Sequence, residues 1–171
     1  MEILITDKSH LKEIRPVTRQ ELEACKKVIR EGFQTVEKDF NLLGENNEED
    51  GAFIQIGRLL EDFDRGNHMF ACFIDRQPVG FIEIDKLDKE GEFSIEKLTV
   101  IPQYRHYGIG RELLLYGEEE VRKHGGYKLC LGIIDENSIL KEWYYKNGYQ
   151  HKASMKYEHL PYTIGLMEKI L

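Results

Sequence analysis

Between His68 and Val100 the chain carries three strand-like runs in close succession, "HMFACFID", "PVGFIEID" and "EFSIEKLTV". They are separated only by "RQ" and "KLDKEG". Links this short join antiparallel neighbours, because a parallel return needs a crossover of roughly a dozen residues or more. The segment therefore predicts an antiparallel meander, and the rest of the chain must be arranged around it. On its N-terminal side "LKEIRPV" reads as a first strand and "TRQELEACKKVIREG" as a helix. Thr18 and Glu21 have capping-box spacing, Leu22, Cys25, Val28 and Ile29 form an apolar stripe, and Gly32 reads as the stop. Beyond the acidic loop "ENNEEDG", Phe53, Ile56, Leu59, Leu60 and Phe63 recur at helical spacing up to Gly66.

After the meander the pattern changes again. A glycine-containing turn leads into a helix from Gly108 to about Gly125. "YKLCLGII" is a nearly continuous apolar run, which predicts a strand buried on both faces. "NSILKEWYYKNG" reads as a short helix capped at Asn137 and stopped near Gly148, and the tail supplies two strands around Leu160-Pro161. Helices, antiparallel strands and a strand–helix–strand–helix section predict one mixed α/β domain over residues 1–171.

Composition narrows the function classes. A hydrophobic fraction of 41% with nine Tyr and eight Phe argues for a folded globule. The net charge of −7 argues against a nucleic-acid partner, and no apolar run is long enough for a membrane span. "MEILITDKSHLK" has no basic region followed by an apolar block, so a cytoplasmic location is expected. Cys25, Cys72 and Cys130 are odd in number, far apart and set in apolar patterns, which predicts reduced core thiols. His68, His124, His151 and His159 show no ligand spacing, so no metal is expected. His106 lies inside the glycine turn, where it can meet a phosphate or solvent.

That turn, "PQYRHYGIGRELL", carries the chemistry. A helix start leaves backbone N–H groups unpaired and adds partial positive charge. Gly108 and Gly110 let phosphate oxygens approach those groups, and Arg105 can add a charged contact. A P-loop is excluded because Gly110 is followed by Arg111 and Glu112, not Lys-Ser/Thr. A dinucleotide fingerprint is excluded because Leu113 stands where the third glycine belongs.

"VIPQYRHYGIGRELL" resembles the acyl-CoA-binding signature of the GCN5-related N-acetyltransferase (GNAT) superfamily, (Arg/Gln)-x-x-Gly-x-(Gly/Ala), filled by Arg105, Gly108 and Gly110. The superfamily's later pattern is matched by Asn137, Leu140, Tyr144, Gly148 and Tyr149, with Leu140 larger than the usual Ala. The resemblance implies a partly splayed, mostly antiparallel sheet of about six to seven strands flanked by about four helices. It implies direct transfer of acetyl from acetyl-CoA to a primary amine of a small molecule or peptide. A homodimer is a family-level expectation. Leu98, Thr99 and Val100 would bind the pantetheine arm through their backbone. Arg105, His106, Tyr107, Gly108, Ile109, Gly110 and Arg111 would wrap the pyrophosphate. Asn137 would touch cofactor or cap its helix.

A thioester is already activated, so no enzyme nucleophile is required, only positioning and proton transfers. Tyr144 is the candidate acid for the leaving thiolate, ahead of Tyr145 on another helix face. Glu96 is the candidate base, with Ser94, Leu98 and Val100 on its face of the strand by alternation. Glu83 is a second carboxylate. A silent acyl-CoA-binding module is the alternative, and it has no need of Tyr144 or Glu96.

Overall fold

The computed structural model describes residues 10–40 and 51–171, so the acidic run from Glu45 to Asp50 lies outside the described residues. The main elements are β1 (Lys12–Pro16), α1 (Leu22–Asp39), α2 (Ile56–Arg65), β2 (His68–Ile74), β3 (Gln77–Lys86) and β4 (Glu92–Val100). They are followed by α3 (Ile109–Lys123), β5 (Lys128–Ile134), α4 (Ser138–Lys146), β6 (Gln150–Lys156) and β7 (Thr163–Ile170). The seven strands form one sheet in the order β1-β2-β3-β4-β5-β7-β6. β1 with β2, β2 with β3, β5 with β7 and β6 with β7 pair antiparallel, and β4 with β5 pair parallel. This is the mixed, mostly antiparallel architecture expected, with the meander where the short links placed it.

The chain divides into two compact units, each assembled from separate stretches. One takes the residues up to Ile84 together with Lys97–Gly117; the other takes Asp85–Glu96 together with Glu118–Leu171.

In the first unit β2 and β3 are joined by Asp75 and Arg76, both left-handed at φ 49° and 69°. Two successive positive φ values match the right-handed twist of a hairpin. Asp75 is further held by the Leu11 N–H, 3.0 Å from its carboxylate, and by His10. One face of β3 packs on α3: a Cβ on Gly80 would lie 2.8 Å from Leu113, and one on Gly117 would lie 2.7 Å from Ile84. From the other face Glu83 reaches Asn67, just past α2.

The sequence predicts that α1 stops at Gly32, but the helix runs on to Asp39. Gly32 is interior because of a close approach: a Cβ there would lie 1.7 Å from Thr99 Oγ1. The glycine therefore lets the helix backbone sit against β4. Leu22, Cys25, Val28 and Ile29 are buried beside it as the stripe predicts. Gly66 does end α2, in the left-handed conformation at φ 99°.

In the second unit the core gathers Phe93, Ile95, Val121, Leu129, Leu131, Ile133, Tyr144, Tyr149 and Met167. Here β5 departs from expectation. Leu129, Leu131 and Ile133 are buried, whereas Cys130 and Ile134 are half-buried and Gly132 is exposed. An apolar run reports composition, not cover, and only one face of β5 is fully covered in this unit. Cys130 is accordingly less buried than a core thiol, while Cys25 and Cys72 are fully enclosed. Burial pushes the Cys25 thiol up to about 12 and Cys72 to about 11, so neither is a thiolate at neutral pH.

Candidate active-site elements

The register of β4 against β5 covers Glu92–Ser94 opposite Lys128–Cys130, although β4 continues to Val100. In the first unit β4 leads through a short 3-10 turn, Pro102–Tyr104, into the glycine stretch. His106 and Gly108 both adopt the left-handed conformation, at φ 68° and 83°. A Cβ on Gly108 would meet nothing within 4 Å, so glycine is required there by the backbone angle, and the space above it is open. The first intrahelical donor of α3 is the Glu112 N–H, 3.0 Å from the Gly108 carbonyl. The N–H groups of Ile109, Gly110 and Arg111 therefore precede the helical ladder and have no acceptor within it. A left-handed turn next to such unpaired donors, with open space above Gly108, suits a phosphate group.

Arg105 has a more specific task than its motif position suggests. Its Nε donates to the Val100 carbonyl at 3.0 Å, and Nη2 donates to the Gly32 carbonyl and Thr35 Oγ1, both at 2.9 Å. Its guanidinium thus ties the end of β4 and the turn to α1. Burial lowers its pKa, and the nearby charge of Asp39 offsets only part of that desolvation. Ile109 is buried, Thr99 is nearly so, Leu98 and Gly110 are half-buried, and His106, Tyr107, Gly108 and Arg111 are exposed.

The two β-strand carboxylates have contrasting surroundings. Glu96 is exposed and accepts a short hydrogen bond from Ser94 Oγ, its neighbour by alternation. Lys97 does not pair with it. Instead the Lys97 ammonium lies 2.7 Å from Glu83 and 3.7 Å from Asp62, and Asn67 Nδ2 donates to Glu83 at 2.8 Å. Glu83 is fully buried, and that burial raises its carboxyl pKa against the pull of Lys97. A carboxyl group enclosed this way by Lys97 and Asn67 is structural, which leaves Glu96 as the accessible one.

In the second unit Asn137 caps α4: its Oδ1 accepts the Leu140 N–H at 3.1 Å. Just before the cap, Asp135 gathers Lys141 Nζ at 2.6 Å, His151 at 3.0 Å and Ser154 Oγ at 2.7 Å. These partners hold its carboxyl at about 2, below the usual range. Tyr144 is buried, with its ring edge-on to Trp143 and to Tyr149 at centroid distances of 4.9 and 5.4 Å. Among the described residues its hydroxyl has no hydrogen-bond partner, and burial keeps the phenol protonated well beyond neutral pH. Tyr145 points outward and is exposed.

The profile described as the acetyltransferase (GNAT) family matches residues 30–149. The chain belongs to this GNAT family. A spermidine N(1)-acetyltransferase of Thermoplasma acidophilum is 28% identical over 145 residues, spanning 81% of this chain and 88% of that protein. The fold is shared with the PaiA N-acetyltransferase of the same organism, solved with coenzyme A, at a TM-score of 0.73 and 22% identity, covering 94% and 99% of the two chains. It is also shared with YncA of Salmonella typhimurium, solved with acetyl-CoA, at a TM-score of 0.71 and 17% identity over 94% of each chain. The GNAT chain is thus an acetyltransferase built on a frame that holds coenzyme A in related proteins.

Two buried ionic groups were not singled out from the sequence. One is Asp62 with Lys97. The other is Glu118, which is 1% exposed and bonded to Tyr149 and Lys169. Helical spacing carried the signal for both carboxylates: Glu118 lies between buried Leu114 and Val121, and Asp62 lies three residues after buried Leu59. Each stands on an apolar stripe, where a charge needs a partner.

Proposed function

We propose that this GNAT protein transfers the acetyl group of acetyl-CoA to a primary amine, working as one domain through which the family match runs from 30 to 149. The observation that carries the donor assignment is the left-handed turn at His106–Gly108 opening onto three helix-entry N–H groups. The residues present fit a pyrophosphate there: backbone donors, no Cβ above Gly108, and a neighbouring guanidinium. His106 to Arg111 supply that cradle, Arg105 shapes it through α1 and adds charge, and Leu98, Thr99 and Val100 offer strand backbone to the pantetheine arm. The Val100 carbonyl already accepts from Arg105, which leaves it one further lone pair for the arm. Asn137 acts through the α4 cap.

The acceptor nitrogen attacks the thioester carbon and the C–S bond breaks. Glu96 takes the proton lost by the amine, directly or through water, and Tyr144 gives its phenolic proton to the departing thiolate. An alkylammonium with a pKa near about 10.4 must be deprotonated first, so Glu96→Gln should slow the reaction most near neutral pH. We assign the acceptor to small polycationic amines. The similarity to a spermidine acetyltransferase over most of both chains and the net charge of −7 support this class.

Thiol release from acetyl-CoA in the presence of spermidine, putrescine, lysine, an aminoglycoside and an alanyl peptide tests the reading. Fastest turnover with the polyamines is expected. Preference for the alanyl peptide would move the acceptor to protein N-termini. Tight acetyl-CoA binding with no thiol release from any amine would leave the silent binding module standing.

A further inference from the structure

The second unit holds an ion pair, with Glu118 buried and Lys169 partly exposed, that the proposed chemistry does not use. Glu118 accepts from Tyr149 OH at 3.1 Å and from Lys169 Nζ at 3.0 Å through each carboxylate oxygen. The third Lys169 bond goes to the Asn147 carbonyl at the end of α4, also at 3.0 Å. Lys169 further lines the left-handed Gly148, whose Cβ would lie 3.2 Å from its Cε. Its ammonium stands 5.6 Å from the Tyr149 ring centroid. Tyr149 is 1% exposed, its N–H bonds the Tyr144 carbonyl at 3.0 Å, and its ring forms the edge contact with Tyr144.

An ion pair with one buried partner is a poor way to gain stability, since desolvation of that partner offsets much of its attraction. What it does supply is a fixed arrangement. Here α3, β7 and the last turn of α4 are joined through one carboxylate and one ammonium. The hydroxyl of Tyr149 is aimed at that carboxylate, which sets the plane of the ring that backs Tyr144.

We propose that the Glu118–Lys169 pair is a positioning device for Tyr144, acting through Tyr149 and the end of α4. It holds the Tyr144 hydroxyl where a thiolate can receive its proton. The inference rests on the acid role of Tyr144, and Glu118, Lys169 and Tyr149 are positioning residues that touch neither substrate nor cofactor.

The test is a double-mutant cycle on the full chain, using acetyl-CoA and the fastest amine of the panel above. Lys169→Met should lower kcat about tenfold with the KM for acetyl-CoA within about twofold, and Tyr149→Phe should lower kcat about threefold. In a Tyr144→Phe background neither change should cost further turnover. Equal losses in both backgrounds, or a loss confined to KM, would overturn the positioning role. Normal turnover of Tyr144→Phe alone would instead remove the acid reading. Should Lys169→Met fail to fold, Tyr149→Phe serves by itself, since it leaves the ion pair intact. Nitration of Tyr144 by tetranitromethane, followed by mass spectrometry, gives a readout without turnover. Wild-type Tyr144 should resist and the Tyr149→Phe protein should react several-fold faster; equal reactivity would count against the device.

Discussion

The glycine turn and the end of α4 are both pinned by a long cation bonded to backbone carbonyls, yet they use it for opposite ends. At the turn, Arg105 draws the Val100 and Gly32 carbonyls together without a hydrogen-bonded carboxylate among the described residues, and the neighbouring helix-entry N–H groups have no acceptor in the helix ladder. At α4, Lys169 is closed by Glu118, Tyr149 supplies the last hydrogen bond, and the network turns inward. The first arrangement presents donors to a ligand. The second presents nothing and fixes a ring. A polar cluster with unspent donors marks where something binds, whereas a satisfied one marks what must not move.

The contrast can be broken from either side. The largest effect is expected at the closed network. Glu118→Ala leaves the Lys169 ammonium without its carboxylate and should cost about 3 kcal/mol of stability, read by urea denaturation. A loss below about 1 kcal/mol would mean that the network is looser than its geometry. Next comes the approach of α1 to β4. Gly32→Ala forces a Cβ onto Thr99 and should cost about 2 kcal/mol, part of it recovered in the Gly32→Ala/Thr99→Ala double variant, where the Thr99 Cβ still lies 2.9 Å from the new one. Failure of that rescue would place the cost in the helix itself.

The open turn should respond differently. Gly108→Ala places a side chain at φ 83°, a strain of about 1 kcal/mol, and should raise the KM for acetyl-CoA several-fold while leaving kcat near wild type. An unchanged KM would remove the turn as the phosphate cradle. The smallest effect belongs to the Asp135 cluster at the start of α4. Its carboxyl sits at about 2 instead of its usual 3.8, so its contribution is present above the unfolded value and is lost as pH falls through about 2. Asp135→Asn should therefore lower stability by about 1 kcal/mol at pH 6, with the gap to wild type closing between pH 4 and about 2. A gap that does not change with pH would make the contribution one of packing.

The sequence was most legible where chain geometry is local. The meander, the stop at Gly66, the Asn137 cap and the α4 stop near Gly148 all follow from spacing over a few residues. It was least legible where one residue answers to another far along the chain. Gly32 looks like a helix end until Thr99 is brought against it, and "YKLCLGII" looks doubly buried until its neighbours are known. The site divides the same way. Arg105 and Gly108 were readable as a motif, but the bonds of Arg105 to α1 were not, because nothing local links residues 32 and 105. Glu118 sits in an ordinary acidic run, "GEEE", and only its place on the buried stripe sets it apart from Glu119 and Glu120.

The hairpin between β2 and β3 has a consequence for anyone wishing to harden this scaffold. Its two left-handed positions are filled by Asp75 and Arg76, where Asn-Gly would be the relaxed choice. Asp75 is committed to Leu11 and His10, but the Arg76 side chain is exposed and has no hydrogen-bond partner among the described residues. Glycine at position 76 would relax the turn while leaving the anchor of β1 untouched. The chain therefore holds a reserve of rigidity in a hairpin that neither the glycine turn nor Tyr144 depends on. That makes it a safe place to begin engineering and a poor place to look for function.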